Sequence, residues 1–257
     1  MTTTKLNHLL KIPCMTLTKL NDLLRMPGMS VVKLDELLKL PGMTVTKLDD
    51  LLSLVDNNIV KLEKLLKDMP LSEIDDFRHR VGVNKFKILL NKFKADVLIH
   101  YGASFFEHYK GVTRDTINHL LRNDGIRRGE IKGCHDAAMF LNELVIEGRG
   151  QILSSTPHPS HPGIINYEYK LFVRDRTGTV IRPPTLKTGH PSVKTVLQNL
   201  ASDADTWKAL ANEAADNAIR TKTFPPSGGR FYSKTSSGLE IEGWYRGGSI
   251  ETFYPIW

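Results

Sequence analysis

The sequence predicts an α+β protein in two parts: an all-helical region of short repeats over residues 1–110, then a domain of antiparallel sheets and helices over 111–257. Three observations predict it. The opening stretch repeats with a period of 14 residues. Near Gly111 the composition shifts toward Gly, Pro, Thr, Ser and Tyr. Beyond that point, short runs of alternating β-branched and aromatic residues stand between Gly-containing turns.

The repeat occupies residues 1–55 and reads MTTTKLNHLLKIPC, MTLTKLNDLLRMPG, MSVVKLDELLKLPG, MTVTKLDDLLSLVD. A Thr or Ser at the second position can cap a helix through its side-chain oxygen. KLxxLL spaces leucines three and four apart, which makes one apolar stripe. Pro-Gly then stops the helix, since Pro cannot extend it and Gly accepts positive φ. Helices of about two turns do not persist alone, so the units must stack. The fourth unit lacks Pro-Gly and is expected to run into a longer helix through KLEKLLKDM. VNKFKILLNKFKADVLIHYGASFFEHYK follows as a basic amphipathic block, expected to face a core rather than a membrane surface. The boundary between the two parts is expected between residues 108 and 113.

In the second part IINYEYKLFVRD, GTVIRPP, GLEIEGWYR and SIETFYPIW read as strands. DAAMFLNELVIEGRG and PSVKTVLQNLASDADTWKALANEAADNAIR read as helices. The formal net charge of +7 is compatible with a polyanionic partner and does not choose among RNA, DNA and an anionic membrane. Cys14 and Cys134 are the only cysteines, which gives neither a disulfide framework nor a CxxC metal knuckle. No run of 18 apolar residues occurs and the N-terminus has no apolar signal core. Stable membrane insertion is therefore not expected, and any export is expected to be specified by sequence outside these residues.

Five histidines fall in the second part: His119, His135, His158, His161 and His190. His158 and His161 lie in the Pro-bracketed HPSHP, a loop without the helical spacing of HExxH, so no metal and no other cofactor is expected. Proton transfer suits the residue types better. Cleavage of RNA by its own 2′-hydroxyl needs a base, an acid and a cation to offset charge on phosphorus. Two imidazoles and a lysine supply these near neutral pH. His119, His135 and Lys187 are available for those roles. Chain order leaves the two histidine roles exchangeable. Lys194 is a second candidate for the cation, although SVKTVLQNL places it on a helix. Gly133 could offer its N–H to a phosphate oxygen.

Three stretches, NHLL followed sixteen residues after its histidine by GCHD, then LKTGHPS, then SIETFYP, together resemble the EndoU superfamily of RNA endonucleases. The likeness covers about the last 140 residues and is in particular to bacterial polymorphic-toxin members found at the ends of contact-dependent inhibition effectors. It implies an EndoU-like fold for 111–257 and metal-independent RNA cleavage that leaves a 2′,3′-cyclic phosphate and a 5′-hydroxyl. It also implies His135 as base, His119 as acid and Lys187 as the cation. Thr188 or Ser192 would serve as the family's substrate-binding Ser or Thr after the lysine, Thr252 would contact the base edge and Tyr254 would stack on the ribose or base. Nidoviral uridylate-specific endoribonucleases end in a similar strand, which implies a uridine preference on tRNA or other single-stranded RNA. A toxin of this kind implies a cognate immunity protein, a larger secreted carrier polypeptide and action in a target cell's cytoplasm. The helical part would then serve delivery or linkage. The competing expectation is a non-catalytic module that binds RNA or a partner protein.

Overall fold

The structure is a computed structural model of the full chain; residues 2–127, 130–188, 190–198 and 204–256 are described. The chain is mixed α+β and divides into two compact units, Met1–Glu107 and His108–Trp257.

The first unit is helical throughout: α1 (Thr2–Leu9), α2 (Leu17–Arg25), α3 (Val31–Leu38), α4 (Val45–Leu54), α5 (Ile59–Asp68), α6 (Leu71–Val81), α7 (Val83–Lys92) and α8 (Ala95–His108). Thr16, Ser30, Thr44 and Asn58, fourteen residues apart, each accept a backbone N–H three residues on and so cap α2 to α5. In the second to fourth units the first two leucines of KLxxLL are buried: Leu20 and Leu23, Leu34 and Leu37, Leu48 and Leu51. Leu62 and Leu65 of α5 are buried in the same way. The expected long helix through KLEKLLKDM does not form, because Asp56 and Asn57 adopt φ of +58° and +57°. These left-handed residues do the work of the missing Pro-Gly, and Asn58 starts a fifth unit. The basic block is likewise three helical segments rather than one: α7 ends at Lys92, and α8 is two helices that meet at Gly102, with φ +73°. Phe77, Phe86, Phe93 and Phe106 meet in its core. No described helix is long and apolar enough to cross a membrane.

The second unit contains β1 (Gly111–Val112), α9 (Arg114–Leu121), β2 (Asn123–Arg127), β3 (Glu130–Gly133) and α10 (Ala137–Leu141), which continues as a π-helical turn over Asn142–Ile146. Next come β4 (Gly150–Pro157), β5 (Ile164–Leu171), β6 (Ser192–Leu197), α11 (Ala204–Arg220), β7 (Gly229–Lys234), β8 (Glu240–Arg246) and β9 (Ser249–Pro255). They form three sheets, β1-β9-β8-β7, β2-β3 and β4-β5-β6. All pairings are antiparallel except β1 with β9. GTVIRPP contributes only an isolated bridge, Val180 to Arg174.

The long helix expected from PSVKTVLQNL onward is a strand followed by a helix. Val193, Thr195 and Val196 are β-branched and fit the pleat of β6; α11 starts only at Ala204, and residues 199–203 lie outside the described residues. Ala211, Ala214, Ala215 and Ala218 are fully buried on α11, a small-residue face that lets the helix lie close to β7 and β8. A second core, around Ile131, Cys134, Phe140, Tyr169 and Val196, joins α10 and β3 to the β4-β5-β6 sheet.

A histidine and lysine cluster as candidate active site

His119 comes from the last turn of α9, whose start is capped reciprocally by Thr113 and Thr116. Thr116 is buried and its hydroxyl donates to the Ile250 carbonyl, which fixes α9 against β9. At the far end of α9 the exposed carbonyls need partners. The N–H of Cys134 donates to Arg122 O (2.8 Å) and that of His135 to Leu120 O (2.6 Å). Two successive residues thus tie the second histidine to the helix that carries the first. Cys134 adopts φ +53° to do so. A β-carbon on Gly133 would lie 2.0 Å from Arg122 O and 2.5 Å from His119 O. Gly133 is therefore required for the close approach of β3 to α9, whatever its N–H does.

The half-buried His135 ring has its Nδ1 2.9 Å from Thr195 O. A carbonyl only accepts, so Nδ1 carries the proton and Nε2 keeps its lone pair. Burial pushes the His135 pKa down to about 3; the charges of Lys194, His119 and Lys132 push the same way, and the bond to Thr195 opposes them. His119 is about one-third exposed, and its Nδ1 meets the Asp124 carboxylate. Lys194 is 7 % exposed, registered opposite Tyr167 on β5, and its Nζ donates to Ile131 O at 3.1 Å. Burial lowers its pKa to about 8. The Tyr254 ring lies parallel to that of His135, within 4°, with centroids 6.5 Å apart. Tyr254 stands opposite Glu242 on β8; burial, then its hydrogen bond to that carboxylate, raises its pKa to about 12.

The structure thus brings together His119, His135 and Tyr254, and adds Lys194. It does not bring in Lys187. That residue is exposed, and its N–H donates to Leu171 O at the other end of β5. Four strand residues, about 13 Å, separate that point from Tyr167. Thr188, next to it, is exposed. Ser192 lies on β6 two residues before Lys194, opposite Tyr169, and hydrogen-bonds its phenol. Thr252 is opposite Trp244 on the same sheet as Tyr254. His158 and His161 sit in the β4–β5 turn, closed by His158 N–H to Ile164 O and Ile164 N–H to His161 O. Among the described residues no group of three or more His, Cys, Asp or Glu could hold a metal ion.

Sequence reasoning missed Asp124 outright, since a carboxylate five residues beyond a histidine forms no motif. It ranked Lys194 second because SVKTVLQNL was read with a helical period; the β-branched residues flanking Lys194 carried the better signal. No protein-family model matches the chain, and no curated protein matches it.

Proposed function

We propose that the second unit is a metal-independent endoribonuclease, with His135 as general base, His119 as general acid and Lys194, in place of Lys187, as the cation. The observation that carries the reading is the convergence of two imidazoles and a buried ammonium beside an aromatic ring on β9. Nε2 of His135 takes the proton of a 2′-hydroxyl, and O2′ attacks phosphorus. The P–O5′ bond breaks as His119 gives its Nε2 proton to O5′. The products are a 2′,3′-cyclic phosphate and a 5′-hydroxyl. Asp124 at Nδ1 orients His119 and is the counter-charge of its protonated ring. Lys194 offsets charge on the phosphorane oxygens. Tyr254 packs the ribose or base of the scissile nucleotide, and Thr252 reads its edge, with uridine preferred.

The resemblance to EndoU toxins extends this reading to an effector that is secreted as part of a larger carrier, acts on tRNA or other single-stranded RNA in a target-cell cytoplasm, and is held inactive by an immunity protein. The test is incubation of the purified protein with total RNA, with and without EDTA, followed by mapping of the cut ends. Cyclic-phosphate ends that persist in EDTA and fall at least about 100-fold in His119→Ala and His135→Ala support the reading. Undiminished cleavage in either variant rejects the role given to that histidine. Salt-dependent RNA binding with no cut ends would instead favour a binding module.

A further inference from the structure

The β1-β9-β8-β7 sheet has one face covered and one open. Phe231, Ile241, Tyr245, Ile250 and Phe253 point inward and are buried. On the outer face, strand register sets two rows across the sheet: Tyr232, Glu242 and Tyr254, and beside it Arg230, Trp244 and Thr252. Tyr232 is 52 % exposed and Trp244 40 %, values well above those of the aromatic residues in the core. The Arg230 guanidinium lies over the Trp244 ring, 5.9 Å from its centroid, and reaches Glu242 at 3.4 Å. Glu242 is therefore engaged on both sides, by Arg230 and by Tyr254. Glu240 is paired with Lys234 at 2.6 Å, and Arg246 is exposed at the end of the strand. The face is thus aromatic and mixed in charge, with Arg230, Lys234 and Arg246 among Glu240, Glu242 and the exposed Glu251 of β9. It is also continuous with the candidate site, because Tyr254 belongs to the row of Tyr232 and Glu242 and lies parallel to His135. Tyr232 and Tyr254 flank the same residue, two strand spacings or about 10 Å apart.

We propose that this face is a nucleotide subsite beyond the scissile position, where Tyr232 stacks a base of single-stranded RNA and Arg230 meets its phosphate. The ligand class rests on the nuclease reading above; the geometry of the face does not. Rings presented on an open sheet beside a cation are how sequence-tolerant single-strand binding is built. The occupant is RNA rather than a protein because the aromatic row leads directly into the cluster where the scissile phosphate would sit.

The test uses the full chain and uncleavable 2′-deoxy probes, a labelled oligodeoxyuridylate of eight nucleotides and the dinucleotide dUpU, read by anisotropy and by competition. Tyr232→Ala should weaken octamer binding roughly tenfold and leave dUpU unchanged. Tyr232→Phe should keep most of the octamer affinity lost in Tyr232→Ala, because the ring stacks the base while the hydroxyl only hydrogen-bonds Arg230. Arg230→Gln should lower the salt slope of octamer binding by about one. Octamer binding unchanged in both Tyr232→Ala and Arg230→Gln overturns the proposal and leaves the face to a protein partner. RNA cleavage by the parent protein is scored separately. Weakened octamer binding in a protein that does not cut RNA would sink the nuclease reading and keep the subsite.

Discussion

In the helical array Lys5 meets Asp35, Lys19 meets Asp49 and Lys33 meets Glu63, each thirty residues on. In the second unit Lys194 meets no regular partner. It is buried under β3, beside a histidine that its own charge helps to keep neutral. The array places its lysines by repetition: one cap and one stripe per unit, with each ammonium returned to a carboxylate, at the surface for Asp49 and Glu63 and buried for Asp35. Exposed pairs such as Lys33 with Glu63 contribute little. The cluster places its lysine by long-range strand pairing at the cost of desolvation, which lowers the pKa to about 8. A charge held at that cost is the better candidate for chemistry.

The contrast is sharpest between two lysines seven residues apart. Lys194→Met should cut RNA cleavage at least about 100-fold with the circular dichroism spectrum retained, whereas Lys187→Ala should cleave within about twofold of the parent. The reverse result would restore Lys187 to the cation's role and separate the buried ammonium from the reaction.

The next effect falls on the array, where packing should outweigh charge. Leu48 is fully buried on α4, and Leu48→Ala should cost about 2–5 kcal/mol in urea unfolding of the first unit's transition. Lys33→Ala, which removes only the 2.8 Å pair to Glu63, should cost less than about 1 kcal/mol. Comparable losses would mean that the ladder of ion pairs, rather than the leucine stripe, holds the units together.

The pH dependence separates the two units in a gentler way. The folded-state pKa of His135, about 3, lies below the ordinary histidine value of 6.5. Between those values the unfolded chain binds the proton and the folded one does not, so stability rises with pH through that window and is lost as pH falls from about 6.5 toward 3. Thermal unfolding across that range should show the second unit losing stability, and His135→Gln should flatten the slope. An unchanged slope in the variant would mean that the imidazole is not held neutral by its surroundings.

Much of this was legible beforehand, for reasons that are local. The caps at Thr16, Ser30 and Thr44 and the buried KLxxLL leucines follow from side chains acting within a few residues of their own backbone. The fifth unit escaped notice because Asp56 and Asn57 take left-handed φ without the Pro-Gly spelling. The strand at 192–197 was misread because Leu197 and the residues after it suggested a helical stripe, while the pairing of β6 with β5 decides in favour of the sheet.

By itself the sequence determined the period of the array, the α+β division near residue 110 and the residue types from which a proton-transfer site could be drawn. Which lysine lies buried near His135, which carboxylate meets His119 and which rings line the open sheet face depend on tertiary structure alone. Strand register and the docking of β3 against the end of α9 bring together residues 119, 135, 194 and 254, and contacts over such separations leave no periodic trace in the chain.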